Sequence, residues 1–532
     1  MRRRRSPATV ACVALLCGLL AAAPAAACGG LFCSTGPNPP QPVDQNAERI
    51  IFVVNGDGTI TAHVQIQYRG SPENFAWVVP VPSVPDVKDS QQDYFTDLDQ
   101  ATSLQVTLPA PDQCASSGGG GFGCGAADYA AANSTPDAKP PVTVHKHSYT
   151  NNYEYHVLGA EKTADLVKWL QDNDYNVSDN MTPVMDAYNS PTMRFLALKL
   201  RAGKSASDIV PIAMTYNAEN PMVPIKLTAV AAQPLMGILV FIVGASPYRP
   251  ANYDVVDPDN KAIVFDATGR TNYFAWVAKV ADEANGQRWV REYVGGNTAS
   301  GAAKSLGPIV SRFYTRMSPQ HMTVDPMFVK FDSPAASREA TLDLSSKPTL
   351  WGCGVYQDRV PSRCEFNFCG QGAKCIELAG AGVACQCPAG QVATPVQDPD
   401  GQNSVTCVPE KNPYGVTDQA AGVGTPIDPC NGYNCGPAGT CVQRGGFPTC
   451  QCASGAVAEL LNSGNVICTV VDASARRSQL EIKAKISGVL RGDGGSNGAA
   501  GGGHAKGLFT FSALMLLLFG LHSVLRRRRA PR

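Results

Sequence analysis

The chain has 532 residues, 44% of them hydrophobic, enough for two to four domains with their own cores. Its 44 basic and 44 acidic residues balance only because nine arginines sit at the ends, Arg2–Arg5, Arg526–Arg529 and Arg532; without them 35 basic residues face 44 acidic ones, a balance of −9 that argues against nucleic acid as a partner. Nineteen cysteines, twelve of them between 364 and 468, argue against a reducing compartment.

Residues 1–27 read as a secretory signal peptide. Arg2–Arg5 supply the positive start, Val10 to Ala23 an apolar stretch too short to span a bilayer stably, and Ala25-Ala26-Ala27 the small residues of a cleavage site. Cleavage there leaves Cys28 first, where its sulfur is open either to a lipid or to a disulfide.

Residues 28–355 form the head. Arg49 to Val54 is a β-branched run, Asn55-Gly56-Asp57-Gly58 a turn, and Thr59 to Tyr68 alternates apolar and polar residues. This predicts a β-hairpin with one buried face. Phe75 to Val81 is a further strand, stopped by its prolines. Asp165 to Gln171 predicts a helix capped by Thr163. Strands are expected at Arg194 to Leu200, Ile209 to Tyr216, Ile225 to Val230 and Leu235 to Val243, and a second helix at Tyr273 to Asn285 with Gly286 as its stop. Strands dominate and nothing alternates as βαβ, so the head is expected to be mainly β, an antiparallel α+β or sandwich-like body.

Cys28-Gly29-Gly30-Leu31-Phe32-Cys33, Ala47-Glu48-Arg49-Ile50-Ile51-Phe52, Ala62 to Tyr68 and Phe75-Ala76-Trp77-Val78-Val79-Pro80-Val81-Pro82 together resemble the bacterial family of domain of unknown function 2330. Phe195 to Leu200, Pro221 to Ala229 and Asn252-Tyr253 continue the likeness. The resemblance implies a secreted or envelope protein, often with a C-terminal anchor. It implies no reaction.

His145-Lys146-His147 puts two imidazoles on one face of an expected strand, with His156 nine residues on, a candidate three-histidine metal face weighed against a solvated strand face beside Tyr149, Tyr153 and Tyr155. No H-E-x-x-H, G-x-S-x-G or G-x-x-x-x-G-K-[ST] motif occurs. Asp93, Asp97 and Asp99 read as a solvated acidic run. Outside the cysteine-rich region, Cys28 with Cys33 and Cys114 with Cys124 make two local pairs, leaving Cys353; lipidation of Cys28 would instead leave four cysteines, all able to pair.

Cys364, Cys369, Cys375, Cys385, Cys387 and Cys407 have gaps of 4, 5, 9, 1 and 19 residues; Cys430, Cys435, Cys441, Cys450, Cys452 and Cys468 have gaps of 4, 5, 8, 1 and 15. Six cysteines alone permit about 15 connectivities. The duplicated spacing resembles the epidermal-growth-factor-like (EGF-like) module, in 364–407 and again in 430–468. That resemblance implies the pairs Cys364–Cys375, Cys369–Cys385, Cys387–Cys407, Cys430–Cys441, Cys435–Cys450 and Cys452–Cys468. Zinc fits neither repeat, which lacks both an x2 cysteine pair and a nearby histidine. The acidic cluster of the calcium-binding members is only fragmentary here, at Asp428 before Cys430.

Residues 408–429 read as a partly flexible linker and 469–507 as a Gly-rich spacer, in which Arg491-Gly492-Asp493 spells an adhesion tripeptide by chance. Leu508 to Leu525 is an uncharged stretch of transmembrane length, and the arginines of 526–532 hold its end in the cytoplasm with the body outside. The order of spacer, apolar segment and arginines also resembles bacterial C-terminal sorting signals, which deliver the body to the cell surface. The expectation is an envelope protein anchored to the membrane by its C-terminal helix. Its head binds a protein or glycan ligand without a cofactor, its two modules act as a spacer, and nucleic acid is not a partner. The rival reading is a metal-assisted hydrolase using His145, His147 and His156.

Overall fold

The computed structural model describes residues 44–69, 76–109, 142–346 and 361–470, apart from 176, 178–180, 206–207, 231, 267, 333–337, 379–381, 412–429, 445–446 and 462. The expected signal peptide, Cys28, Cys33, Cys114, Cys124, Cys353, the expected spacer beyond residue 470, and the expected C-terminal span and tail lie outside the described residues. Among the described residues no helix is long and apolar enough to cross a membrane.

The expected hairpin is formed by β1 (Asp44–Val54) and β2 (Thr59–Arg69). They belong to an eight-stranded sheet with β4 (Asp86–Asp89), β9 (Ile212–Asn217), β10 (Ala232–Gly244), β12 (Asp254–Val256), β13 (Arg288–Gly296) and β14 (Ile309–Met317), in the order β12-β13-β14-β10-β1-β2-β9-β4. A second sheet has the order β3 (Ala76–Val81), β8 (Arg194–Leu200), β7 (Tyr153–Ala160), β6 (Val142–Tyr149). Two short ladders complete the head: β5 (Gln105–Thr107) with β16 (Thr341–Asp343), and β11 (Tyr248–Pro250) with β15 (Phe328–Lys330).

The two sheets stack. Ile50, Phe52, Ile60, Ala62 and Val64 of the large sheet share a core with Trp77, Val79, Tyr155, Val157 and Leu198 of the small one. The outer face of the large sheet, through Ile51, Val53, Phe241 and Val243, is covered by helices Gln92–Thr102 (Phe95, Leu98) and Tyr273–Glu283 (Tyr273, Trp276, Val277). Helix Thr163–Asp172 covers the outer face of the small sheet, placing Leu166, Val167 and Leu170 on Val78, Leu158 and Phe195. The head is thus four layers, helix on sheet on sheet on helix, mainly β as expected.

Because both faces of the large sheet are covered, the hairpin does not have the single buried face its alternation predicts. In β1, residues 50–53 are all buried. In β10, whose run is apolar almost throughout, both faces are buried, as suits a central strand with a parallel neighbour in β1. Sequence reading also missed β13 and β14, and Ile225–Thr228 is a helical turn where a strand was expected. Pro224 precedes that turn, and the Asp325 carboxylate accepts from the Lys226 N–H at 3.1 Å. Thr163 does not cap its helix. Its hydroxyl donates to Asp186 and accepts from Asn189 Nδ2, tying the helix to Thr182–Asp186, and Lys162 stands at the cap position.

His63, on the face of β2 expected to be polar, is only 7% exposed. Its Nδ1 lies 2.7 Å from Ser90 Oγ, and its ring meets Tyr94 edge-on. Burial holds its pKa at about 4, below the ordinary 6.5. The unfolded chain therefore takes up the proton first, so this contribution is complete above pH 6.5 and is lost as the pH falls from 6.5 to 4. A difference of that size is worth about 3 kcal/mol. Urea unfolding at pH 7 and pH 4 should show wild type losing about 2–3 kcal/mol more than His63→Asn over this interval. Equal losses in the two proteins would show that His63 is not a buried neutral imidazole.

The six bridges in the cysteine-rich region join the pairs implied by the resemblance. Each repeat folds into two hairpins: β17 (Lys374–Glu377) with β18 (Val383–Gln386) and β19 (Gln391–Gln397) with β20 (Asn403–Pro409) in the first; β21 (Gly439–Arg444) with β22 (Phe447–Cys452) and β23 (Ala456–Leu460) with β24 (Val466–Val470) in the second. The same closure recurs in both. Cys407 N–H donates to Cys369 O at 2.8 Å and Cys468 N–H to Cys435 O at 2.7 Å. Gly370 and Gly436 follow at φ +91° and +78°, where a Cβ would strike the carbonyls of Cys407 and Cys468.

The modules are not two separate beads. β18 pairs with β23 and β19 with β22, so the first hairpin of each module extends the second hairpin of the other. Cys369, Cys385 and Cys407 of the first share a core with Cys435, Cys450 and Cys468 of the second. Residues 408–409 and 469–470, expected in linker and spacer, belong to β20 and β24. Nor does the first module stand off the head. Val396 of β19 packs on Leu235 and Ala278 of the head, so the spacer picture fails at this contact.

Candidate functional site

A cleft of about 710 Å³ opens where the β19–β20 turn lies against the head. Its floor follows from alternation in β14. Phe313 and Met317 point into the inter-sheet core, which leaves Arg312, Tyr314 and Arg316 on the opposite face, lining the cleft. Arg49 of β1 and Glu292 of β13 join them, and Asp99 arrives on helix Gln92–Thr102, whose Phe95 and Leu98 are anchored below.

These groups form one charge network. Arg312 Nε donates to Glu292 Oε2 at 2.5 Å and its Nη1 to Asp99 Oδ1 at 2.7 Å. Arg49 Nη2 lies 3.2 Å from the other oxygen of Asp99 and donates to Phe95 O. The Tyr273 hydroxyl donates to Glu292. Burial alone would push the Arg312 pKa down, but Glu292 and Asp99 raise it. Burial, with the Glu292 charge beside it, drives the Tyr273 pKa well up. Tyr314 is likewise pushed up by burial, and its hydroxyl has no hydrogen-bond partner among the described residues. It lies over Gly237 of β10, where a Cβ would come within 2.8 Å of the phenol oxygen.

The cleft is walled on one side by the first module. Asp398 Oδ1 lies 2.8 Å from Arg316 Nη1, with both side chains at most 5% exposed. Arg270 spans Asp398 at 3.3 Å and Asp400 at 2.9 Å. Burial raises the Asp398 pKa against the pull of the two arginines. Arg316 also donates to the carbonyls of Leu235 and Phe274, so it is held at its root as well as its tip.

Chemically, the site offers fixed donors and acceptors. The arginines cannot release a proton, and both phenols stay protonated at neutral pH, so neither acts as a ready base. The lining arginines Arg49, Arg312 and Arg316 face four carboxylates, Glu48, Asp99, Glu292 and Asp398, so the lining carries one net negative charge, with most of its charges paired internally. Such a lining suits a polar ligand without net charge, since an ion would have to displace an internal pair.

The histidines expected to act together are divided by a β-bulge. The register slips between Val144 and Lys146, which takes His145 out of the pattern that joins the other two. His145 Nε2 instead lies above Gly159, 2.7 Å from where a Cβ would stand. His147 sits opposite His156, with Glu154 as the third member of the group. The expected three-histidine face is therefore not assembled. Asp93, Asp97 and Asp99 are not merely a solvated run. Asp97 Oδ2 accepts from Ala303 N at 3.1 Å, and Asp99 belongs to the cleft. Sequence reading gave no role to Arg49, Glu292, Arg312 or Arg316.

With fold and cleft in place, comparison identifies the head. Residues 22–332 match the family described as an uncharacterized protein conserved in bacteria, domain of unknown function 2330, and the chain belongs to that family. The match ends before the cysteine modules. No curated protein and no solved structure matches the chain.

Proposed function

We propose that this chain is an extracytoplasmic protein of the bacterial envelope, anchored through Leu508–Leu525, which binds a short neutral glycan in the cleft between its head and its first cysteine module. The cleft carries this reading. Its charges are largely paired internally, Phe274 and Tyr314 offer apolar ring surface, and the buried Tyr314 hydroxyl has no partner among the described residues. A sugar supplies hydroxyls that both donate and accept, which matches arginine beside carboxylate without disturbing the pairs. The cysteine repeats are read as EGF-like modules that complete the cleft wall. The signal-like residues 1–27, the arginine tail and the disulfides support a body outside the cytoplasmic membrane.

One experiment addresses both location and binding. Spheroplasts expressing the full chain with a tail tag should retain fluorescent chitotriose above empty-vector cells. External protease should abolish retention and digest the head while sparing the tag. Tyr314→Phe should weaken retention about tenfold, the loss of one buried hydrogen bond. A protease-protected head would refute the location, and retention no greater than in empty-vector cells would refute the glycan reading.

A further inference from the structure

The head carries a second polar cluster, separate from the cleft, on the helix-covered face of the small sheet. His147 of β6 stands in register opposite His156 of β7, and Glu154 lies two residues before His156, so both project from the same face. The two imidazoles stack, with centroids 4.1 Å apart and planes 7° from parallel. His147 Nε2 is 2.9 Å from Glu154 Oε1. One ligand atom from each of the three residues lies within 4.8 Å of the others.

We propose that His147, Glu154 and His156 form a three-ligand zinc site whose fourth position opens to solvent. Two imidazoles and one carboxylate are a zinc ligand set, and zinc needs no reducing surroundings to keep its valence. The sheet gathers the group, because two of the ligands share a strand and the third stands opposite on the ladder, and turning one imidazole out of the stack would aim both rings at a shared ion. His147 and Glu154 are about two-fifths exposed, so an ion can enter, whereas His156 is held from below by the edge of Trp169. His156 Nδ1 is buried without a hydrogen-bond partner among the described residues, a cost that a purely structural stack leaves unexplained. The nearby cation Lys199 is turned aside, donating to Asn173 O and lying 4.2 Å from the Tyr175 ring centroid.

The test is titration of the full, detergent-solubilised chain, stripped of metal, with Co²⁺. One equivalent should give a visible d–d band without the near-ultraviolet charge-transfer band of thiolate ligation, and Zn²⁺ should abolish it. His147→Ala, Glu154→Gln and His156→Ala should each weaken binding at least about tenfold, while His145→Ala binds as wild type does. His156→Asn keeps a polar side chain in the buried position should the alanine variant misfold, and it should lose binding likewise. Absence of the band, a thiolate signature, or equal loss in His145→Ala would overturn the assignment.

Discussion

Replacing Asp398 with alanine should lower the unfolding free energy of the head by about 3–5 kcal/mol. The carboxylate stands on the first cysteine module and its partner Arg316 on β14, and both are buried. Removing one member leaves the other charge desolvated and unpaired, and that cost exceeds what the pair itself contributed. Burial raises the Asp398 pKa against the attraction of the arginines, in keeping with a pair whose desolvation offsets much of its Coulomb gain. Asp398→Leu combined with Arg316→Met should therefore return to within about 1 kcal/mol of wild type. All five tryptophans precede residue 352, so their fluorescence follows the head alone in a urea titration. An Asp398→Ala protein that unfolds like wild type would mean the β19–β20 turn is not seated on Arg316. The same logic predicts that the head without its modules loses stability, contrary to a spacer.

What could be read from the sequence was local. The hairpin at Asn55–Gly58, the strands at Phe75–Val81 and Arg194–Leu200, and the helix ending at Gly286 each carry their signal within a dozen residues. Cysteine spacing resembled a known module closely enough to imply all six bridges. The failures were non-local. Alternation in Thr59–Tyr68 suggested one buried face because nothing in that stretch reveals the helices, from residues 92–102 and 273–283, that cover the other. The three aspartates looked solvated because Arg312, which pairs with Asp99, lies 213 residues away. Their helix did carry a weak signal, Phe95 and Leu98 three residues apart, but acidic neighbours masked it. The histidine face failed for a different reason: a single extra residue in β6 moved His145 out of line, and no sequence rule marks that bulge. The docking of the modules was hidden too, since a solitary valine and two aspartates at a turn look like any exposed loop.

The second large effect is expected at Arg312. Arg312→Met should destabilise the head by about 3–5 kcal/mol, because Glu292 would keep only the Tyr273 hydroxyl of its described partners. The two arms of Arg312 are unequal. Glu292 is 4% exposed, so its charge is poorly screened and its loss of a partner is costly. Asp99 is 41% exposed and keeps Arg49, so that arm contributes little. Arg312→Lys should recover only part of the loss, since one ammonium cannot reproduce the fork that holds Nε on Glu292 and Nη1 on Asp99. Asp99→Asn should then cost under about 1 kcal/mol, although both residues line the same cleft. That ordering, with methionine worst, lysine intermediate and Asp99→Asn mildest, would locate the structural anchor of the cleft at Glu292 and leave Asp99 free to meet a ligand. An Asp99 variant as unstable as Arg312→Met would reverse the assignment, making helix Gln92–Thr102 the element that holds the cleft together.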